Sequence, residues 1–370
     1  MKKVLAILVV LVMVLGLTSV AFAEEVTKEN IKLGFVHISD PSDMGYTYNH
    51  DVGTKVMMEA VGLREDQVIN KYNVSENPGE CGAAINELID AGCNMIFGTS
   101  FGFGDAMLPA AQEHPEIEFC HATGYYAAMY NLPNYHNYFA SIYEARYLAG
   151  IAAGLKTQTN KLGYVAAFPF AEVISGYTSF YLGAKSVNPD VEMFVMYTNS
   201  WNDPTVEAQV AKALIDMGAD VISQHSDSTA PATTAETNGV FQVGYNADMI
   251  PAAPNASLVS ARVDWSKYLI FAVESYLAGE PIPTDWSQGY AEGAVYLSPL
   301  NEIIIADGTA EAIKAAEQAL LSGELKVFAG PLTDAAGNVV VKEGEYFHEQ
   351  ETESAPSWSF ILQGITVIEG

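Results

Sequence analysis

Seven short stretches concentrate the side chains with which a protein holds or transforms a small molecule. They are residues 40–48 (DPSDMGYTY), 99–105 (TSFGFGD), 121–126 (HATGYY), 168–175 (FPFAEVIS), 198–204 (TNSWNDP), 224–230 (QHSDSTA) and 244–249 (GYNADM). Each sets aromatic rings or small polar groups beside carboxylates, amides or imidazoles. Rings stack on flat ligands, at roughly 1–3 kcal/mol per base in single-strand binders. The polar groups meet a ligand's edge, where a buried donor or acceptor left unpaired costs about 1–3 kcal/mol. Acid–base work is the other chemistry open to such a set, because two carboxylates across a cleft are the equipment of glycoside hydrolases.

Other chemistries lack their signatures. There is no GxxxxGK[ST], no GxGxxG after a strand and no GxSxG elbow. Ser, His and Asp are neighbours in QHSDS (224–228), but a triad is defined by geometry. His50 beside Asp51 offers too few ligands for a metal. No metal and no cofactor are expected.

The stretches fall where elements meet. IKLGFVHIS (31–39) reads as a buried strand and VMMEAVG (56–62) as helix, with the 40–48 loop between them. CGAAINELIDAG (81–92) has apolar residues at helical spacing and a glycine stop, and NMIFGTS (94–100) is the strand after it. Strands alternating with helices predict parallel sheets with right-handed crossovers. The chain also echoes itself. KLGFV (32–36) returns as KLGYV (161–165), GYT (45–47) at 176–178, GTK (53–55) as GAK (183–185), and LIDAGCNMIFGTS (88–100) as LIDMGADVISQHS (214–226). The echoes keep their order and a nearly constant offset. At 370 residues the chain is longer than one core usually serves. The fold class is therefore α/β, with two similar doubly wound, Rossmann-like lobes and a hinge. Ligands should sit at the carboxyl ends of the strands, in the cleft between lobes. The expected division is 24–140 plus about 258–280 for the first lobe, 141–257 plus about 281–325 for the second, and 326–370 as a β-rich extension. In that extension DAAGN (334–338) reads as a hairpin turn, and the last residues as a strand packed away from the ligand.

Residues 1–23 read as a signal peptide: Lys2 and Lys3, an apolar run over 4–17, and AFA at 21–23, with cleavage after Ala23 and no lipobox cysteine. No other segment is long enough to cross a bilayer. The protein is expected to be exported, periplasmic or extracellular. Its net charge of −28 opposes nucleic acid and phosphate-rich partners and suits a neutral or cationic small ligand. Cys81, Cys93 and Cys120 fit no zinc or redox spacing and are expected as buried free thiols.

GYTYNHDVG (45–53), FGTSFGFGDAMLPAA (97–111), FCHATGY (119–125), YEARYLAGIAAG (143–154), FPFAEVISG (168–176), the run from Asn199 to Thr229, and NADM (246–249) resemble the basic-membrane-protein family of ABC-transporter solute-binding proteins. The resemblance implies the two-lobed periplasmic-binding fold (type I), a membrane permease as partner, binding without turnover, and closure of the lobes around a purine ligand. The best-known members bind purine nucleosides. HATGY and QHSDST resemble a branch associated with adenine. Nucleoside binders carry a lysine after the NADM region that helps hold the ribose; here SLVSARVDW (257–265) offers Arg262 instead.

For such a ligand Tyr46 and Trp201 are expected to sandwich the ring, with Phe103 as an alternate wall. Asp203, Asp227 and Asp248 are candidates to accept from an exocyclic amine and ring N–H, much as amide side chains read adenine's edge in DNA. Asn199, Asn202 and Ser228 are supporting groups. Asp203 and Asp227 each precede a helix, so capping competes with a ligand role. His121 and His225, at strand ends, are expected as hydrogen-bonded struts. Glu172 and Arg146 are given structural roles, Arg146 pairing with a carboxylate near the hinge. The protein is expected to work as a monomer that does no chemistry. A nucleoside hydrolase and a sensor subunit without transport are the alternatives.

Overall fold

The computed structural model describes residues 25–350 and 353–368; the expected signal peptide lies outside them. In the first lobe β1 (Leu33–Val36), β2 (Val68–Lys71), β3 (Met95–Gly98), β4 (Glu118–Ala122) and β5 (Tyr135–Tyr138) are linked through α1 (Tyr46–Val61), α2 (Pro78–Asp90), α3 (Gly104–Glu113) and the short α4 (Tyr126–Tyr130). The second lobe repeats the plan. Its α5 (Ile142–Lys156) leads to β6 (Lys161–Ala166), α6 (Ala171–Val187), β7 (Glu192–Tyr197), α7 (Pro204–Asp216), β8 (Val221–His225), α8 (Ala230–Asn238), β9 (Phe241–Tyr245) and β10 (Ser257–Val263). The chain then returns as α9 (Ser266–Ala278), which packs on α1, and β11 (Asp285–Trp286) before crossing again to β12 (Val295–Leu297) and α10 (Thr309–Leu321).

The first sheet runs β11-β5-β4-β3-β1-β2 and the second, counting a last strand β15 (Ile365–Ile368), runs β12-β10-β9-β8-β6-β7-β15. All pairings are parallel except β10 with β12. Helices cover both faces, which is why LGFV of β1 and MIFG of β3 are buried at every position. The lobes are therefore as anticipated, but two segments change sides. Residues 258–263, expected in the first lobe, form β10 beside β9 in the second sheet, and 285–286, expected in the second, pair with β5 at the edge of the first. The internal echo ends before these segments, so it carried no information about where the chain crosses.

Three crossings join the lobes: residues 139–141, 264–265 and 287–294. Trp265, in the second, is enclosed by Tyr46, His50, Tyr138 and Phe139, with the His50 ring stacked on it at 4.1 Å. Helices α5 and α6 touch backbone to backbone. A β-carbon on Gly150 would lie 2.0 Å from the Phe180 carbonyl oxygen, so nothing larger fits there. That contact fixes where both helices present their first turns.

Beyond α10, β13 (Leu332–Thr333) and β14 (Val339–Val341) form the hairpin foreseen at DAAGN, with Asp334 accepting from the amides of Ala336 and Asn338. β15 pairs with β7, and the Ser354 amide donates to Asp285 in β11 at 2.8 Å. The tail thus touches the outer strand of each sheet. The three cysteines are free and buried. Among the described residues no helix is long and apolar enough to cross a membrane, and no His/Cys/Asp/Glu group is placed to hold a metal.

Candidate functional site

The carboxyl ends of the two sheets face one another across a small, tightly closed cavity. Ile38, Tyr46, Ser100, Phe101 and Thr123 line it from the first lobe, and Glu172, Trp201, His225, Asp227 and Tyr245 from the second. The lobes are closed on it. The Asn202 amide donates to Ser39 Oγ across the cleft at 2.9 Å, and the Phe101 and Phe170 rings meet at 5.3 Å.

Local structure aims each group. Asp43 accepts from the amides of Gly45, Thr47 and Tyr48, which starts α1 and holds Tyr46 at its head. Tyr46 stands edge-on to His50 and Trp265, so packing fixes its ring. Trp201 follows β7 and meets Phe168 edge-on at 5.1 Å. Its carbonyl accepts from the Asp227 amide at 2.8 Å, which ties the two loops together. Thr123 has φ +59°, a sterically costly conformation for a β-branched residue.

The polar atoms around the cavity are incompletely paired. Tyr46 Oη, Thr123 Oγ1, Trp201 Nε1, His225 Nδ1 and Tyr245 Oη are buried with no protein partner. Asp227 accepts only one long bond, 3.3 Å from Asn246 Nδ2, among the side-chain contacts of its carboxyl group. Burial pushes the Asp227 carboxyl well above the usual carboxylate range, helped by Asp43, Glu207 and Glu172. Burial likewise pushes Glu172 up to about 8, against the pull of Arg146. His225 is held well below its ordinary value by burial and by Arg146, and its Nε2 lies 3.2 Å from Glu172 Oε1. The arrangement is two buried carboxyl groups, hydroxyls and ring N–H groups between aromatic walls. It can hold a flat, uncharged, polar-edged molecule without water.

Of the anticipated residues, the structure brings Tyr46, Trp201 and Asp227 to the cavity wall. It places the others elsewhere. Phe103 is fully buried in a first-lobe core with Val36, Ile85, Met107 and Phe119. Residues 101–103 make one tight turn, which sends Phe101 to the cavity and Phe103 away. Asp203 caps α7, accepting from Thr205 and Val206 at 3.1 Å. Ser228 donates to the buried Glu207 and accepts from the Ala230 amide. Asp248 accepts from the Ile250 amide in its own turn. Asn202 is not on the cavity wall: its Nδ2 bridges to Ser39 while its Oδ1 is buried without a protein partner, and Asn199 forms a left-handed turn at φ +55°.

His121 is the strut foreseen. Burial lowers its pKa to about 4, so the neutral ring donates from Nε2 to the Ser100 carbonyl and accepts at Nδ1 from Tyr135. His225 and Glu172, given structural roles above, both line the cavity. Arg146 was expected to pair with a carboxylate, and among the described residues none lies within ion-pair distance. It donates from Nη1 to the Gln224 carbonyl at 2.6 Å, and its guanidinium carbon lies 3.8 Å from the Tyr245 ring centroid. The residues missed, Ser100, Phe101, Thr123, Glu172 and Tyr245, sit in stretches already singled out; Ile38 precedes the first of them.

Two doubly wound lobes closed on a polar-aromatic cavity are the architecture of a two-lobed small-molecule-binding protein. The chain belongs to the Bmp family, described as ABC transporter substrate-binding protein, PnrA-like, which it matches over residues 30–327. It is 37% identical to a purine-binding protein of Brucella abortus, over 87% of this chain and 90% of that one. It is 34% identical to a putative ABC transporter glucose-binding protein of Haloferax volcanii, over 82% and 75%. Its fold is similar to that of a solute-binding protein of an ABC transporter system from Aeropyrum pernix, at a TM-score of 0.67 and 18% identity, covering 81% and 94% of the two chains. Proteins of this family are extracytoplasmic solute-binding components that work with a membrane permease.

Proposed function

We propose that this protein collects a purine, adenine in preference to a nucleoside, and presents it to a permease by closure of its lobes. The observation that carries the reading is the pairing of Trp201, Phe101 and Tyr46 with two buried carboxyl groups, Asp227 and Glu172, around one small cavity. Aromatic faces suit a purine ring, and a carboxylate suits its exocyclic amine. The Brucella relative named for purine binding supports the class of ligand. Against a ribose-holding mode stands Arg262, whose Nε donates to the Asn246 carbonyl at 2.7 Å and whose guanidinium lies over Tyr296. Its Nη2 also donates to Asn49 Oδ1 in α1 of the first lobe at 3.3 Å, and it is not part of the cavity wall.

Native mass spectrometry of the protein as isolated, then stripped and offered adenine, adenosine, guanosine and glucose, tests this. A retained mass of adenine, restored by adenine alone, is the expected result. Adenosine held intact would move the reading to nucleosides, and glucose alone would move it to the sugar named for the Haloferax relative. Release of adenine and ribose from adenosine would replace binding with hydrolysis.

A further inference from the structure

Arg146 is 1% exposed, in the first turns of α5. It makes one hydrogen bond, to the Gln224 carbonyl, and its Nε and Nη2 have no protein partner. A buried guanidinium without a carboxylate in reach is costly, and packing alone does not call for it. Its position is specific: it lies over the ring of Tyr245, which lines the cavity, while Arg146 itself does not. Tyr245 in turn stands edge-on to His225, which reaches Glu172.

We infer that Arg146 is a positioning residue that sets the charge of the cavity from behind its wall, keeping one of the two carboxyl groups Glu172 and Asp227 ionised while the other stays a neutral donor. This rests on the purine reading above and goes on to specify which edge the site selects. The charged and titratable groups facing the pair are Arg146, His225, Tyr46 and Tyr245, with Glu76, Asp43 and Glu207 at longer range. Among them Arg146 is the permanent cation. Two buried carboxyl groups on one small cavity do not both ionise at neutral pH, and they titrate as a pair. One fixed positive charge balances one carboxylate. The cavity is then neutral overall, with one strong acceptor and one carboxyl O–H. It prefers an uncharged ring carrying an amine to the same ring without one.

The test compares adenine with unsubstituted purine by calorimetry between pH 6.5 and 9.5. In the wild type at pH 7, adenine should bind roughly ten- to a hundredfold more tightly, the effect of one hydrogen bond to a charged acceptor. In Arg146→Met or Arg146→Gln the last carboxylate takes up a proton, and the preference should shrink to a few-fold at pH 7 and return at pH 9.5. Arg146→Lys should keep it at pH 7. Equal weakening of both ligands with no pH rescue would reduce Arg146 to packing and overturn the inference. A measurement that needs no variant is the wild-type affinity itself: it should fall about tenfold for both ligands as pH rises beyond 8 to 9.5, where the neutral donor ionises. A flat profile also overturns the inference, whether or not the variants fold. Failure of the wild type to bind either ring would instead sink the purine reading.

Discussion

Gly45 and Asp227 meet backbone to backbone across the cleft: a β-carbon on Gly45 would stand 2.4 Å from the Asp227 carbonyl oxygen. Gly45 belongs to the loop ahead of α1 and Asp227 to the loop after β8, so this contact exists only when the lobes are shut. The same loop positions the carboxyl group that faces the cavity. Closure and ligand contact are therefore the same event at this point.

Gly45→Val should hold the lobes apart while leaving each lobe intact. Affinity for the ligand should fall by more than about tenfold, since closure must then push two backbone segments apart. Small-angle scattering should report an unchanged radius of gyration on adding ligand, where the wild type contracts. A variant that still contracts and binds would mean that the loops yield there.

Phe101 and Phe103 are two residues apart and should fail differently. Phe101→Ala should weaken binding by about 1–3 kcal/mol, as loss of a stacking face does, with little change in melting temperature. Phe103→Ala should cost about 3–5 kcal/mol of stability, as buried aromatic truncations do, and alter affinity only through folding. Denaturant melts beside ligand titrations separate the two. The opposite pattern would put Phe103 back on the cavity wall.

Asp203 and Asp227 form a second such pair. Removing the cap with Asp203→Ala should lower stability by about 1 kcal/mol and leave affinity unchanged. Asp227→Ala should abolish measurable binding without unfolding the protein, because it removes a buried group that α8 does not use as a cap.

Glu172 makes stability depend on pH with an unusual sign. Its folded pKa of about 8 lies above its ordinary 4.5. The folded state therefore binds the proton more tightly, and the stability it confers is present below 4.5 and lost progressively as pH rises to 8. Between pH 6.5 and 8 the loss should amount to about 2 kcal/mol at most. This window lies above the one in which the buried His37 and His121, lowered to about 4, act in the opposite sense. Glu172→Gln should flatten the fall. Melting curves of both proteins across that range decide it; parallel curves would assign the charge elsewhere.

The sequence announced its architecture through repetition: KLGFV and KLGYV became β1 and β6, and the two LID helices became α2 and α7. It also marked the loops of the site, because unbroken buried strands ending in aromatic and acidic residues have few other uses. It did not distinguish neighbours within a loop. Phe101 and Phe103 look alike as letters, and the sense of a three-residue turn divides them. Asp203 and Asp227 both precede helices, yet only Asp203 turns its carboxylate onto the helix amides. Glu172 and Tyr245 were passed over because their role depends on how two separately folded lobes come together, which no local pattern encodes.

Residues 328–368 lie past the stretch that matches the family, and their last strand covers β7. Without it, β7, EMFVMY in sequence, would present a full row of free amides and carbonyls on a largely apolar strand. Exposed edges of that kind recruit strands from other molecules. This carboxyl-terminal strand closes that edge, and its removal should be felt first as aggregation, before any loss of the cavity.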